Sequence, residues 1–212
     1  VALALTVSQR IMNLAASIET VIHGFKTMMP ALLILIFAWS LATTTEELCT
    51  AEFLTRLLGD TLSPYMVPVV VFVLAAVIAF STGSSWSTMA ILYPIAIPLC
   101  WTIAQNAGLP NEVTMELLYN VIAVVLSASV LGDHCSPISD TTILSSLASN
   151  CNHIDHVKTQ LPYALSVGAV SIVMTYCSTA FSIPFYISFV VGVLLLTGLV
   201  FLLGKKVPER SF

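Results

Sequence analysis

A short polar segment inside a strongly apolar chain is the feature that most limits how this sequence can fold. Residues 130–146 read VLGDHCSPISDTTILSS, with two aspartates (Asp133 and Asp140), six hydroxyl side chains, a glycine and a proline. A charged side chain at the bilayer centre costs about 3 kcal/mol or more, and unsatisfied backbone groups there are also costly. Protein or a water-filled cavity must therefore surround this segment. The pattern predicts an ion or substrate site on a discontinuous transmembrane helix.

The composition of the chain indicates an integral membrane protein. Of its 212 residues, 58% are hydrophobic and only 8% are charged, whereas ordinary soluble domains have about 25% charged residues. A backbone in lipid must satisfy its own hydrogen bonds, so we predict an all-α, polytopic membrane protein with discontinuous or re-entrant helices. The chain begins at Val1 rather than Met, and we expect it to be the C-terminal part of a longer polypeptide.

Several classes of function and partner find no support in the sequence. The seven basic residues are scattered, so nucleic acid is not an expected partner. The five cysteines have no disulfide or zinc spacing and are interpreted as free thiols. No HExxH or GxSxG motif occurs, so we predict that the protein is not an enzyme. Membrane lipid is an expected partner, a homodimer is left open, and no cofactor is expected.

The apolar runs divide the chain into three regions. Residues 1–27 are interrupted by polar positions and predict an amphipathic helix at the membrane surface or a plain connector. Residues 28–204 form the predicted transmembrane transporter region, with helix breaks near 81–88 and 132–140. Residues 205–212 form a hydrophilic tail.

The lengths of the apolar runs require these breaks. Residues 64–105 would form a continuous helix of roughly 60 Å, twice the thickness of a bilayer core. We expect that helix to break at Gly83, which lies among hydroxyl side chains. Residues 141–149 are helical in pattern but short, which predicts a half-helix or a re-entrant arm. Residues 150–160 are interpreted as a polar link before the two final spans.

The basic residues predict the orientation, because cytoplasmic loops carry an excess of Lys and Arg. If each predicted span crosses the membrane once, only Arg56 lies on the opposite side from the other basic residues. We therefore expect a multi-pass protein of the inner plasma membrane with a cytoplasmic C-terminal tail. The residues on the cytoplasmic side are Arg10, Lys26, Lys158, Lys205, Lys206 and Arg210.

Both predicted breaks combine Gly or Pro with clustered hydroxyl side chains and a resumed helix. Unwound backbone exposes carbonyls that suit Na⁺, and the resumed helix offers N-terminal amides that suit an anion. A single Ser or Thr in a membrane helix more often bonds to the backbone or to another helix, but two clusters at two breaks favour a binding function. The candidates are Thr82, Gly83, Ser84 and Ser85 at the first break and Ser136, Ser139, Thr141 and Thr142 at the second.

The two aspartates are the candidate Na⁺ ligands. A carboxylate in mid-membrane with no basic residue nearby in sequence needs a cation or a proton. A site that accepts Na⁺ or H⁺, but not both, exchanges them if it faces each side of the membrane in turn. Asp140 could also cap the helix at 141–149, which would not exclude ion contact. His134 could carry a proton or bond to a backbone carbonyl.

A second group of polar side chains has the residue types of a metal site. Its members, Cys151, His153, Asp155 and His156, lie in a polar stretch beside Lys158. Those surroundings favour a solvated loop over a metal centre.

Three segments resemble the C-terminal half of the NhaC-type Na⁺/H⁺ antiporter family. They are FAWSLATTTEEL at 37–48, FSTGSSWSTMAILYPIAIPL at 80–99 and LGDHCSPISDTTILSS at 131–146. The resemblance implies a secondary transporter of the ion-transporter superfamily, half of an inverted-repeat architecture with broken helices at its site. It also implies that an N-terminal half of the polypeptide is missing here. The positions that match the family's signature segments are Asp133, His134, Ser136, Asp140, Thr141 and the turn at 82–85.

The leading hypothesis is therefore Na⁺/H⁺ exchange, with Asp133 and Asp140 as the exchange groups. The alternative is a Na⁺- or H⁺-coupled transporter of organic anions or amino acids on the same scaffold, since some relatives of the family exchange malate for lactate. No Lys or Arg lies in mid-span to bind an anion. This absence favours the cation exchanger.

Overall fold

A computed structural model of the protein describes residues 2–49, 53 and 62–204. This part of the chain contains α-helices and one 3-10 turn, Pro64–Met66, and no β-strand. The all-α prediction is confirmed. In chain order the helices are α1 (Ala2–Ser8), α2 (Leu14–Glu47), α3 (Val67–Thr82), α4 (Ser85–Asn106), α5 (Asn111–Cys135), α6 (Asp140–Ala148), α7 (His153–Phe181) and α8 (Phe185–Leu203).

The lengths and hydropathies of the helices confirm the polytopic membrane class. Within the described residues, five helices are long and apolar enough to cross a membrane. Each has an apolar stretch with few charged residues, as a bilayer core of about 30 Å requires. They are Pro64–Thr82, Ser85–Asn106, Asn111–Cys135, His153–Phe181 and Phe185–Leu202.

The chain divides into two compact units, residues 1–40 and residues 41–212. In the first unit, the Asn13 side chain accepts a hydrogen bond from the backbone N–H of Ala16 at 2.8 Å, at the start of α2. Helix α2 continues through residue 27, where the sequence predicts the boundary between a surface helix or connector and the transmembrane region. The predicted tail at 205–212 lies outside the described residues.

The core of the second unit is formed by α3, α4 and α5. Val71, Leu92 and Val121 are among the buried side chains that hold these helices together. Gly132 of α5 lies directly against the backbone of α3, because a Cβ atom there would fall within 2.9 Å of the Phe80 nitrogen. This close approach brings the ends of α3 and α5 together. By contrast, α8 is apolar, and none of its residues 185–202 is buried.

Helix α7 begins earlier than the sequence predicts. The Asn152 side chain caps it by accepting hydrogen bonds from the backbone N–H groups of Ile154 at 2.9 Å and Asp155 at 3.3 Å. Pro162 lies inside this helix rather than at its start. The predicted polar link at 150–160 is therefore wrong from residue 153 onward, because Asn152 supplies a helix start that polar composition conceals.

Candidate ion-binding site at two helix interruptions

The first interruption, residues 83–84, separates α3 from α4. Gly83 adopts a left-handed conformation, with φ of 65°, and its backbone N–H donates to the Ala79 carbonyl at 2.8 Å. Ser84 caps α4, and its hydroxyl oxygen accepts from the backbone N–H of Ser87 at 3.3 Å. The Thr82 hydroxyl donates to the Ile78 carbonyl at 2.9 Å. The Ser84 hydroxyl thus caps the start of α4, whereas the Thr82 hydroxyl bonds back to the preceding turn of α3.

The second interruption, residues 136–139, separates α5 from α6. The cap of α6 is Ser139, whose hydroxyl oxygen accepts from the backbone N–H of Thr141 at 3.2 Å. Asp140 lies in the first turn of α6 and is exposed. The alternative that Asp140 caps this helix is wrong, because the preceding serine takes that role. Helix α6 has nine residues, so at roughly 13 Å it is too short to cross a bilayer.

Asp133 and Ser139 form the centre of the candidate site. The fully buried Ser139 hydroxyl donates to the half-buried Asp133 carboxylate at 2.5 Å. Ser139 has a single hydroxyl proton, so the Thr141 hydroxyl, 2.8 Å away, is the donor in their contact. The Thr141–Ser139–Asp133 chain therefore directs its hydrogen bonds toward the carboxylate. No Lys or Arg stands between Arg56 and Lys158 in the sequence to neutralise it.

The two interruptions pack against each other. A Cβ atom at Gly83 would lie 2.8 Å from the Ile138 side chain and 3.0 Å from the carbonyl carbon and oxygen of that residue. Gly83 therefore lies against the backbone of the second interruption, next to Ser139. Among the described residues, the hydroxyls at 82–85 make no hydrogen bond to Asp133. The first interruption thus supports the site through backbone packing.

Backbone carbonyls around the second interruption already have donors. The His134 carbonyl accepts from the Thr142 hydroxyl at 3.1 Å and from the Gln160 side-chain amide at 3.0 Å. The Pro137 carbonyl lies 2.6 Å from Nε2 of His153. These two carbonyl oxygens are therefore already hydrogen-bonded, and the expectation that unwound carbonyls bind Na⁺ stays a prediction. The Asp133 carboxylate and the Ser139 and Thr141 hydroxyl oxygens are the side-chain candidates for ligands of a cation.

The remaining predicted residues lie close to this centre in the chain. The His134 side chain is exposed, and its backbone carbonyl makes the contacts described above. Ser136 is fully buried, and its hydroxyl oxygen accepts from the backbone N–H of Ile138 at 3.3 Å. Thr142 is buried, and Ser85 is half-buried at the start of α4.

Three side chains near the site escaped the sequence reasoning. His153 and Gln160 were assigned to a solvated link, although both bond to the second interruption or its flank. Ser129 lies one turn before Asp133 on α5; it is fully buried and its hydroxyl has no hydrogen-bond partner. Its position four residues before Asp133, on the same face of α5, is the one sequence feature that could have identified it. Within the described residues, no group of three or more His, Cys, Asp or Glu side chains could hold a metal ion.

Gly83→Ala is expected to destabilise the protein more than Gly108→Ala. Both glycines have positive φ, 65° and 68°, so both substitutions meet backbone strain of about 1 kcal/mol or more. Only the Gly83 substitution also meets a neighbour, because no atom lies within 4 Å of a Cβ at Gly108. We expect an additional loss of about 1–3 kcal/mol for Gly83→Ala from overpacking. Thermal midpoints of the two detergent-purified variants test this, and equal midpoints would exclude a tight contact between the interruptions.

The fold and site place the chain among polytopic membrane proteins whose helices are interrupted at a buried polar centre. The chain belongs to the Na⁺/H⁺ antiporter family, whose sequence profile matches residues 1–201. No solved structure matches the chain.

Curated relatives of the chain include two antiporters. An uncharacterised protein of Haemophilus influenzae is 40% identical over 83% of this chain and 33% of its own length. The arginine/ornithine antiporter ArcD of Halobacterium salinarum is 33% identical over 52% of this chain and 21% of its own length. The malate-2H⁺/Na⁺-lactate antiporter of Bacillus subtilis is 23% identical over 74% of this chain and 31% of its own length. The chain thus spans a third or less of these relatives.

Proposed function

We propose that the protein is an NhaC-type secondary active transporter that exchanges Na⁺ for H⁺ by alternating access. The observation that carries this proposal is the Asp133 carboxylate, held by the Ser139 hydroxyl at 2.5 Å where two interrupted helices meet. A carboxylate in an apolar membrane region without a basic partner requires a cation or a proton. Family membership supports an antiport mechanism.

Asp133 is the group at which the two ions compete. With Na⁺ bound, the carboxylate and the Ser139 and Thr141 hydroxyl oxygens face the cation, and the hydroxyl protons turn away. With H⁺ bound, the carboxyl is neutral and the Thr141–Ser139–Asp133 chain remains. Either ion neutralises the site, and both together do not fit, so each passage carries one of them.

Asp140 has a supporting role in this proposal. Its carboxylate is exposed in the first turn of α6, where the helix dipole favours a negative charge. It raises the local concentration of cations near Ser139 and is available to Na⁺ outside the central site. We place the transporter in the inner plasma membrane, with residues 205–212 on the cytoplasmic side, on the distribution of basic residues.

Na⁺ transport is expected to weaken as the pH falls, because protons compete for Asp133. The apparent KM for Na⁺ should rise by up to about tenfold per pH unit in the range where the site is mostly protonated. The maximal rate at saturating Na⁺ should change little over the same range. Initial rates of Na⁺ uptake into vesicles of the complete protein, measured over a grid of Na⁺ concentrations and pH values, test this. A KM for Na⁺ that is constant with pH would rule out shared occupancy of one site.

A second candidate function is exchange of amino acids or organic anions. It is favoured by the activities for which two relatives are named, arginine/ornithine exchange and malate/lactate exchange. The same vesicles distinguish the candidates if they are loaded with arginine, ornithine, malate or lactate. A cation exchanger moves Na⁺ against H⁺ without any of these solutes, whereas the alternative requires one of them.

A further inference from the structure

One face of α7 carries three polar side chains that contact the second interruption or the helices on either side of it. His153, His156 and Gln160 are spaced three and four residues apart, which places them on the same side of a helix. Nε2 of His156 lies 3.1 Å from the hydroxyl of Ser145 on α6. His153 and Gln160 reach backbone carbonyls instead, at Pro137 and His134.

His153 connects the second interruption to α6 through both of its ring nitrogens. Nε2 lies 2.6 Å from the Pro137 carbonyl, and because a carbonyl can only accept, Nε2 carries the proton and donates it. Nδ1, which is then an acceptor, lies 3.1 Å from the hydroxyl of Ser146 on α6, whose single proton is shared with the Ile143 carbonyl 2.8 Å away. One imidazole ring therefore spans the second interruption and the half-helix that follows it.

The Pro137 peptide is close to the ion-binding centre along the chain. It is separated from Ser139 only by Ile138, against which Gly83 packs. The direction of the Pro137–Ser139 backbone therefore determines where the Ser139 hydroxyl lies relative to the Asp133 carboxylate, now 2.5 Å away. The hydrogen bond from His153 is a direct restraint on that backbone.

We propose that His153 is a positioning residue that sets the Na⁺ affinity of the site by fixing the Pro137–Ser139 backbone. It acts through the Pro137 carbonyl and touches neither ion. This inference rests on the proposed Na⁺/H⁺ exchange and adds a specific determinant of cation affinity, supplied by the helix that follows the site.

The test compares His153→Ala, His153→Gln and His156→Ala in vesicles of the complete protein. His153→Ala should raise the apparent KM for Na⁺ about tenfold, with the maximal rate per transporter within about twofold of the wild type. His153→Gln should recover most of the affinity, because a Gln amide can donate to the Pro137 carbonyl. His156→Ala is the matched control and should leave KM unchanged, since Ser145 is exposed and lies outside the second interruption.

The outcomes distinguish a failure of the role proposed for His153 from a failure of the proposed Na⁺/H⁺ exchange. If the wild type responds to Na⁺ and His153→Ala has an unchanged KM, His153 does not position the site. A variant that lowers the amount of protein in the membrane but leaves KM unchanged leads to the same conclusion. If His153→Ala does not accumulate, His153→Phe provides the test, because it keeps an aromatic ring and removes the donor to the Pro137 carbonyl; KM should rise about tenfold, and an unchanged KM overturns the inference. A wild-type protein that does not respond to Na⁺ overturns the proposed function itself.

Discussion

Asp133→Asn is expected to abolish Na⁺-driven proton movement, lowering its rate at least about 100-fold, or about 2.8 kcal/mol. Asparagine preserves the size of the side chain and an oxygen that can accept from Ser139. It removes the negative charge that attracts Na⁺ and the oxygen that takes up a proton. The measurement is the change of internal pH in vesicles of the complete protein after a Na⁺ gradient is imposed.

Asp140→Asn is the matched control for this prediction. It makes the same chemical change in a carboxylate that is exposed and lies in the first turn of α6. We expect it to reduce the rate by less than about tenfold. Full activity of Asp133→Asn, or complete loss only with Asp140→Asn, would show that the exchange group has been assigned to the wrong aspartate.

Gly132→Ala is expected to cause a large loss of stability, the largest for alanine in place of a glycine inside the described helices. The added Cβ would overlap the Ala76 carbonyl oxygen and lie 2.8 Å from the Ala79 Cβ and 2.9 Å from the Phe80 nitrogen. Two of these contacts are with the backbone of α3, which cannot move aside as a long side chain can. The two helices must separate, at a cost of about 3 kcal/mol or more. Thermal midpoints of the detergent-purified protein measure this loss.

Gly198→Ala in α8 is the matched control for the Gly132 substitution. No atom lies within 4 Å of a Cβ at Gly198, and alanine is favoured over glycine in a helix by about 1 kcal/mol. This variant should be as stable as the parent protein or slightly more stable. A Gly132→Ala protein with an unchanged thermal midpoint would mean that α3 and α5 do not meet at this residue.

Local chemistry made much of the architecture predictable. Long apolar runs led to the five membrane-length helices, and Gly83 in a cluster of hydroxyl side chains predicted a break close to where α3 ends at Thr82. Polar residues in an apolar chain predicted a break at 132–140. Helix α5 ends and helix α6 begins within that range. These predictions follow from two facts alone: polar groups are costly in lipid, and glycine and proline permit or require backbone conformations that interrupt a helix.

Features that depend on distant residues were not predictable in the same way. Ser139 and Asp140 are both good capping residues, so sequence alone does not decide between them. Gly83 and Ile138 are far apart in the chain, and no local sequence pattern predicts their contact. The polar residues around His153 predict a solvated loop. Its partner in the structure is the Pro137 carbonyl, and because every residue has a backbone carbonyl, the sequence does not identify that partner.

Proton release on Na⁺ addition tests most directly whether the two ions share Asp133. The detergent-purified complete protein is placed in weakly buffered solution at a pH where its Na⁺ affinity depends on pH, and a pH-sensitive dye follows the addition of NaCl. We predict that the wild type releases up to about one proton per transporter, that choline chloride releases none, and that Asp133→Asn releases none with either salt. Equal proton release from the wild type and Asp133→Asn would contradict the account.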